Sequence, residues 1–114
     1  MTTTTLNKIK TTNKWADSFV TERTPFVASN TFGEWVKDLY IVYSFGHHFP
    51  MFVWDDKAGA WFENIDKYSR TTSKQQGQLR PNAHVEYKLE TEEIKGLVSA
   101  GGLAEWTIQK AQKM

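Results

Sequence analysis

Leu39-Tyr40-Ile41-Val42-Tyr43-Ser44-Phe45 is the stretch on which the fold turns. β-Branched and aromatic residues dominate it, the composition of a strand, and Gly46 closes it. Met51-Phe52-Val53-Trp54 repeats the signature. Asp55-Asp56-Lys57-Ala58-Gly59 then supplies turn residues, and Ala60-Trp61-Phe62-Glu63 follows as a third strand, which predicts a hairpin. Within the first strand, Tyr40, Val42 and Ser44 share one face and Ile41, Tyr43 and Phe45 the other. One face has to pack on helices. The other is either a ring platform able to stack bases or is itself buried.

Upstream, Pro25-Phe26-Val27-Ala28 reads as a short edge strand with Pro25 at its start, and residues 30–33 read as a turn. Downstream, Ser73 is placed to cap a short helix through Leu79, which Arg80-Pro81 ends. His84 to Glu90 alternates polar and apolar, a half-buried strand. Thr91 is positioned to cap a second helix over Glu92 to Ala100, whose Ile94, Leu97 and Val98 fall on one face and which Gly101-Gly102 terminates. Residues 103–114 form a last helical turn or tail. These readings give an α+β fold: a small antiparallel sheet of 4–5 strands with two short helices.

The 114 residues predict one domain, long enough to bury a core without disulfide or metal. Residues 1–13 carry six threonines and only Leu6 and Ile9 as larger aliphatic residues, so they read as a flexible N-terminal arm ahead of a single domain over 14–114. No apolar leader core or membrane-length run is present, so the expected location is cytoplasmic. The chain has no cysteine, which excludes disulfides, thiolate zinc sites and a Cys nucleophile.

Chemistry-bearing patterns are few. His47 and His48 are adjacent, so on a strand they would point to opposite faces, and His84 is remote; the expectation is a surface loop and no metal. Asp55-Asp56 reads as a turn-forming and solubilising pair rather than a general acid/base dyad. Phosphate loops, nucleophile elbows and His-Glu zinc helices are absent. The expectation is a non-enzyme without cofactors.

What remains is Lys67 to Pro81, KYSRTTSKQQGQLRP. It holds Lys67, Arg70, Lys74 and Arg80 with no acidic residue, in a chain whose net charge is only +1. Tyr68, Ser69, Thr71, Thr72 and Ser73 add hydroxyls. Cations among hydroxyl donors ahead of a helix start suit phosphate oxygens. The candidate nucleic-acid or anion-binding residues are therefore Lys67, Tyr68, Arg70, Thr71, Thr72, Ser73, Lys74 and Arg80, with Tyr68 and Tyr43 as stacking rings. The bland reading is a solvated loop and helix face. A protein partner with an acidic surface would meet the same patch, because Trp, Tyr and Arg dominate binding hot spots. Self-association stays open.

Three pieces of the chain, Tyr40-Ile-Val-Tyr-Ser-Phe-Gly46, Trp61-Phe-Glu-Asn64 and Lys67-Tyr-Ser-Arg-Thr-Thr-Ser-Lys74, resemble a family of small bacteriophage-encoded proteins with a Tyr-Ser-x-Thr-Thr-Ser-Lys/Arg segment. Where relatives carry a histidine after that segment, Gln75 stands here. The resemblance implies a phage origin and accessory, non-structural work in the host cell, either on nucleic acid or by inhibiting or redirecting a host or defence protein. It carries no assigned activity.

Overall fold

Every residue from Leu39 to Ser44 is buried, because the strand they form is sandwiched between helices on both sides. The computed structural model describes residues 9–12, 15–28, 30–47, 49–66, 76–81 and 85–112. In chain order the elements are β1 (Ile9–Lys10), α1 (Ala16–Thr21), β2 (Phe26–Val27), β3 (Thr31–Val36), β4 (Leu39–Ser44), β5 (Pro50–Asp55) and β6 (Ala60–Asn64). Then come α2, described over 76–79, β7 (Tyr87–Leu89), α3 (Thr91–Ala100) and α4 (Leu103–Gln112).

The seven strands lie side by side in sequence order. From β2 to β6 they form an antiparallel meander, but both outer pairs are parallel: β1 on β2 through α1, and β7 on β6 after the segment holding α2. This corrects the expected 4–5-stranded antiparallel sheet with two helices. The sheet is larger and mixed, and four helices are described. The parallel edges arise because a helix-bearing crossover separates the paired strands.

The expected turn at 30–33 is the start of β3. Gly33 is not a turn residue: a Cβ there would sit 2.5 Å from the Tyr40 Oη and 2.7 Å from the Phe26 ring. Glycine lets β3 lie against the side chains of its two neighbours. Tyr40 can then donate its hydroxyl to the Thr24 carbonyl at 2.7 Å. The segment expected as an edge strand, β2, is flanked on both sides, since Ile9 pairs with Phe26 and Phe26 with Gly33. Of the arm 1–13, residues 9–12 are described, and Ile9-Lys10 form β1.

Two cores result. On one face Ala16 and Val20 of α1 and Leu79 of α2 cover Phe26, Tyr40, Val42, Met51 and Trp61. On the other, Ile94 and Leu97 of α3, with Leu103 and Trp106 of α4, cover Leu39, Ile41, Tyr43, Val53 and Phe62. Each fully buried aliphatic contributes about 1.5–3 kcal/mol of transfer free energy.

The helix α3 begins one residue earlier than expected. Glu90 and Glu93 form the capping box, the Glu90 N–H donating to Glu93 Oε1 at 3.2 Å. Thr91 is not the cap, because its hydroxyl oxygen accepts from Asn64. The helix ends on Gly101 at φ 95°, a left-handed position that glycine fills without steric cost. The expected last turn is a full ten-residue helix, α4.

Candidate nucleic-acid interface

Lys67, Tyr68, Arg70, Thr71, Thr72, Ser73 and Lys74 lie outside the described residues, as do Gln75, His48 and His84. The structure does describe both residues from which that basic segment is hung, Asp66 and Gln76. They are held together by a buried polar cluster.

Asn64, at the end of β6, is fully buried. Its Nδ2 donates to the Pro50 carbonyl and to Thr91 Oγ1, both at 2.9 Å, and its Oδ1 accepts the Asp66 N–H at 2.8 Å. Gln76, 2% exposed, reaches back from α2: its Nε2 donates to the Asn64 carbonyl at 2.8 Å and the Asp66 carbonyl at 3.2 Å. The nine residues 67–75 thus leave and re-enter at one point. Buried amides need such partners, since an unpaired one costs about 1–3 kcal/mol.

Asp66 has a second task. Its Oδ2 accepts the Thr91 backbone N–H at 2.8 Å, at the first turn of α3. That N–H, together with the Thr91 hydroxyl, holds the Asp66 carboxyl below its ordinary value. The carboxylate therefore ties the start of the basic segment to a helix N-terminus and engages those donors itself.

Arg80 is the one candidate cation among the described residues. Its Nη1 donates to Glu63 Oε1 at 3.0 Å and its Nη2 to Glu63 Oε2, a two-pronged pair. Glu63 is 3% exposed on β6. Arg80 thereby compensates a buried charge, and the pair is locally neutral.

Tyr43 does not offer a free ring face. It is 6% exposed, and its ring stacks on Phe32 at 5.0 Å and meets His47 edge-on at 4.8 Å. With both faces of β4 covered, the stacking platform considered for that strand is absent. His47 is exposed and its Nε2 lies 3.1 Å from Glu34 Oε2. Among the described residues no group of three His, Cys, Asp or Glu side chains gathers to hold a metal. No described helix is long and apolar enough to cross a membrane.

Asp55 is more than a surface turn residue. It is 2% exposed. Its Oδ1 accepts the N–H groups of Lys57 (3.0 Å) and Ala58 (3.1 Å), and its Oδ2 accepts that of Leu103 at 2.6 Å. It shapes the β5–β6 turn and caps α4 at once. Sequence reasoning missed this role and the Asn64–Asp66–Gln76–Thr91 cluster, because the contacts that join Asp55 to Leu103, Asn64 to Thr91 and Gln76 to Asp66 span 10 to 48 residues of the chain. No family model, curated protein or solved structure matches this chain.

Proposed function

We propose that the chain is a non-enzymatic accessory protein, of phage origin, that binds nucleic acid in the host cell through the Lys67–Arg80 segment. The observation that carries this reading is the clasp between Asp66 and Gln76. It holds together the two ends of the nine-residue stretch 67–75, whose sequence carries Lys67, Arg70 and Lys74. A tethered cluster of cations and hydroxyls meets adjacent phosphates at a lower ordering cost than a free tail would.

The test is fluorescence anisotropy with single- and double-stranded oligonucleotides over a salt series. Three phosphate contacts on a single strand predict a log–log slope of about −2. Arg70→Ala with Lys74→Ala is expected to flatten that slope and weaken binding at least tenfold. Arg80 is left intact, because its loss would strand the buried Glu63 carboxylate. No binding at low salt, or binding indifferent to the double substitution, sinks the reading.

A second reading, a module that binds a host or defence protein, is favoured by one patch. Trp35 and Val36 are 37% and 39% exposed. Beside them the Arg23 guanidinium lies 4.5 Å over the Trp54 ring, and the Trp35 indole N–H donates to the Arg23 carbonyl at 3.0 Å. Trp and Arg held together are the composition of binding hot spots. Protein capture that fails on Trp35→Ala, with no oligonucleotide binding, selects this alternative.

A further inference from the structure

A groove of about 450 Å³ runs between the loop after β4 and the helix α3, lined by Tyr43, His47, Pro50, Lys95, Val98 and Ser99. That volume falls in the range of small-molecule sites, about 300–1,000 Å³. Three of its side chains are hydrogen-bond donors that make no side-chain hydrogen bond or ion pair among the described residues: the Tyr43 hydroxyl, the Lys95 ammonium and the Ser99 hydroxyl. Lys95 and Ser99 stand one turn apart on α3.

Tyr43 is the decisive member. The residue is 6% exposed, yet among the described residues Trp61 Nε1 is the one side-chain polar atom buried without a partner, so the Tyr43 hydroxyl is open to solvent. Here the little that Tyr43 exposes, it exposes as a wall of this groove. The β4–β5 ladder slips between Val42 and Tyr43, a bulge of the kind that re-aims a side chain. Two residues on, Phe45 is held at φ 58°, its N–H bonded to the Asn30 carbonyl at 2.8 Å. Such a conformation is strained for a bulky residue, and strain of this kind concentrates at working sites.

The unused donors fix the class of ligand. One compact cation and two neutral hydroxyls call for an oxyanion with several acceptor oxygens and little surrounding carboxylate. Glu34, whose charge is felt at Tyr43, is engaged with His47. Val98 and Pro50 give the groove an apolar wall for the rest of the ligand. We propose that the groove is a phosphate-monoester site, in which Lys95, Ser99 and Tyr43 donate to the phosphoryl oxygens. Burial, then the Glu34 charge, push the Tyr43 phenol up to about 12, so it stays a donor at neutral pH. This proposal does not depend on the reading of the basic segment.

The experiment is an amide NMR titration of the intact chain with inorganic phosphate, a 5′-adenylate and adenosine. Saturable shifts confined to residues 43–47 and 95–99 are expected with both phosphates, tighter with the adenylate, and absent with adenosine. Lys95→Gln is expected to weaken adenylate binding at least tenfold. Tyr43→Phe, which keeps the ring and removes one hydroxyl, should weaken it three- to tenfold with an unchanged melting temperature. Lys67→Gln with Lys74→Gln should leave the groove shifts as they are. The proposal falls if adenosine binds as well as adenylate, if Lys95→Gln binds like the parent chain, or if the shifts vanish with the Lys67 and Lys74 substitutions. The last result would assign the phosphate to the basic segment.

Discussion

The ends of β5 and β6 use one device to different ends. At each, an aspartate in or just beyond the strand accepts the N–H of a helix start far along the chain. Asp55 takes Leu103 of α4 at 2.6 Å, and Asp66 takes Thr91 of α3 at 2.8 Å. At the first corner the other carboxylate oxygen is spent on the Lys57 and Ala58 N–H groups, so the chain closes in a tight turn. At the second corner the clasp is made by amides instead, Asn64 and Gln76, and nine residues separate Asp66 from Gln76. The helices are docked to the sheet in both cases. Only the second corner has a longer stretch of chain between its clasped residues, and that stretch holds Lys67, Arg70 and Lys74.

The largest effect is expected at the closed corner. Asp55→Ala removes the acceptor of three N–H groups at a residue 2% exposed. A loss of about 2–4 kcal/mol is expected by urea denaturation, above the range of surface substitutions. A loss under about 1 kcal/mol would show that the turn and α4 hold without the carboxylate, and the parallel between the corners would fail.

Next comes the open corner. Asn64→Ala leaves the Pro50 carbonyl and the Asp66 N–H without their partner. It should cost about 1–3 kcal/mol. It should also weaken oligonucleotide binding, although no charge changes, because the clasp loosens. Full affinity in the folded variant would mean that the clasp does not organise the segment.

The corner also predicts a pH dependence. The Asp66 carboxyl is held below its ordinary value by the Thr91 N–H and hydroxyl, so its contribution is fully present above the usual carboxylate range. It is lost as pH falls through the lowered folded-state value. Parent and Asp66→Asn chains should differ most in stability near neutrality, draw together as pH falls through the ordinary Asp value of about 3.9, and converge only below the lowered folded-state value. A gap that persists at low pH would assign the difference to shape rather than charge.

Much of the frame was legible in advance. β4, β5, β6, the turn at 55–59 and α3 with its Gly101 stop each carry a pattern long enough to read. β2 and β7 fall inside the segments read as strands, 25–28 and 84–90, but β1 was lost in the expected arm, since two residues cannot show alternation. β3 was hidden by Gly33, which serves the approach of Tyr40 and Phe26 and not a turn. Thr91 carried a cap signal, but its hydroxyl was drawn off by Asn64, 27 residues away, and Glu90 took the cap. Of the candidate interface, composition disclosed the cations. The pairing of Arg80 with Glu63, the clasp at Asp66 and Gln76 and the unpartnered donors beside α3 depend on tertiary neighbours, and no local spacing announces them.

The smallest expected effect separates the two corners most cleanly. Three residues, Gly-Ser-Gly, inserted between Thr71 and Thr72 lengthen the stretch between Asp66 and Gln76 from nine to twelve residues. For a loop held only at its ends, the added closure entropy is about 0.3 kcal/mol. The same insertion between Ala58 and Gly59 should cost several times more, because the Asp55 Oδ1 can accept the Lys57 and Ala58 N–H groups only in a tight turn. Equal, small costs would show that the closed corner is not rigid. Equal, large costs would show that the basic segment packs on the domain along its length. The proposed interface would then be a fixed surface, and the clasp would only mark its borders.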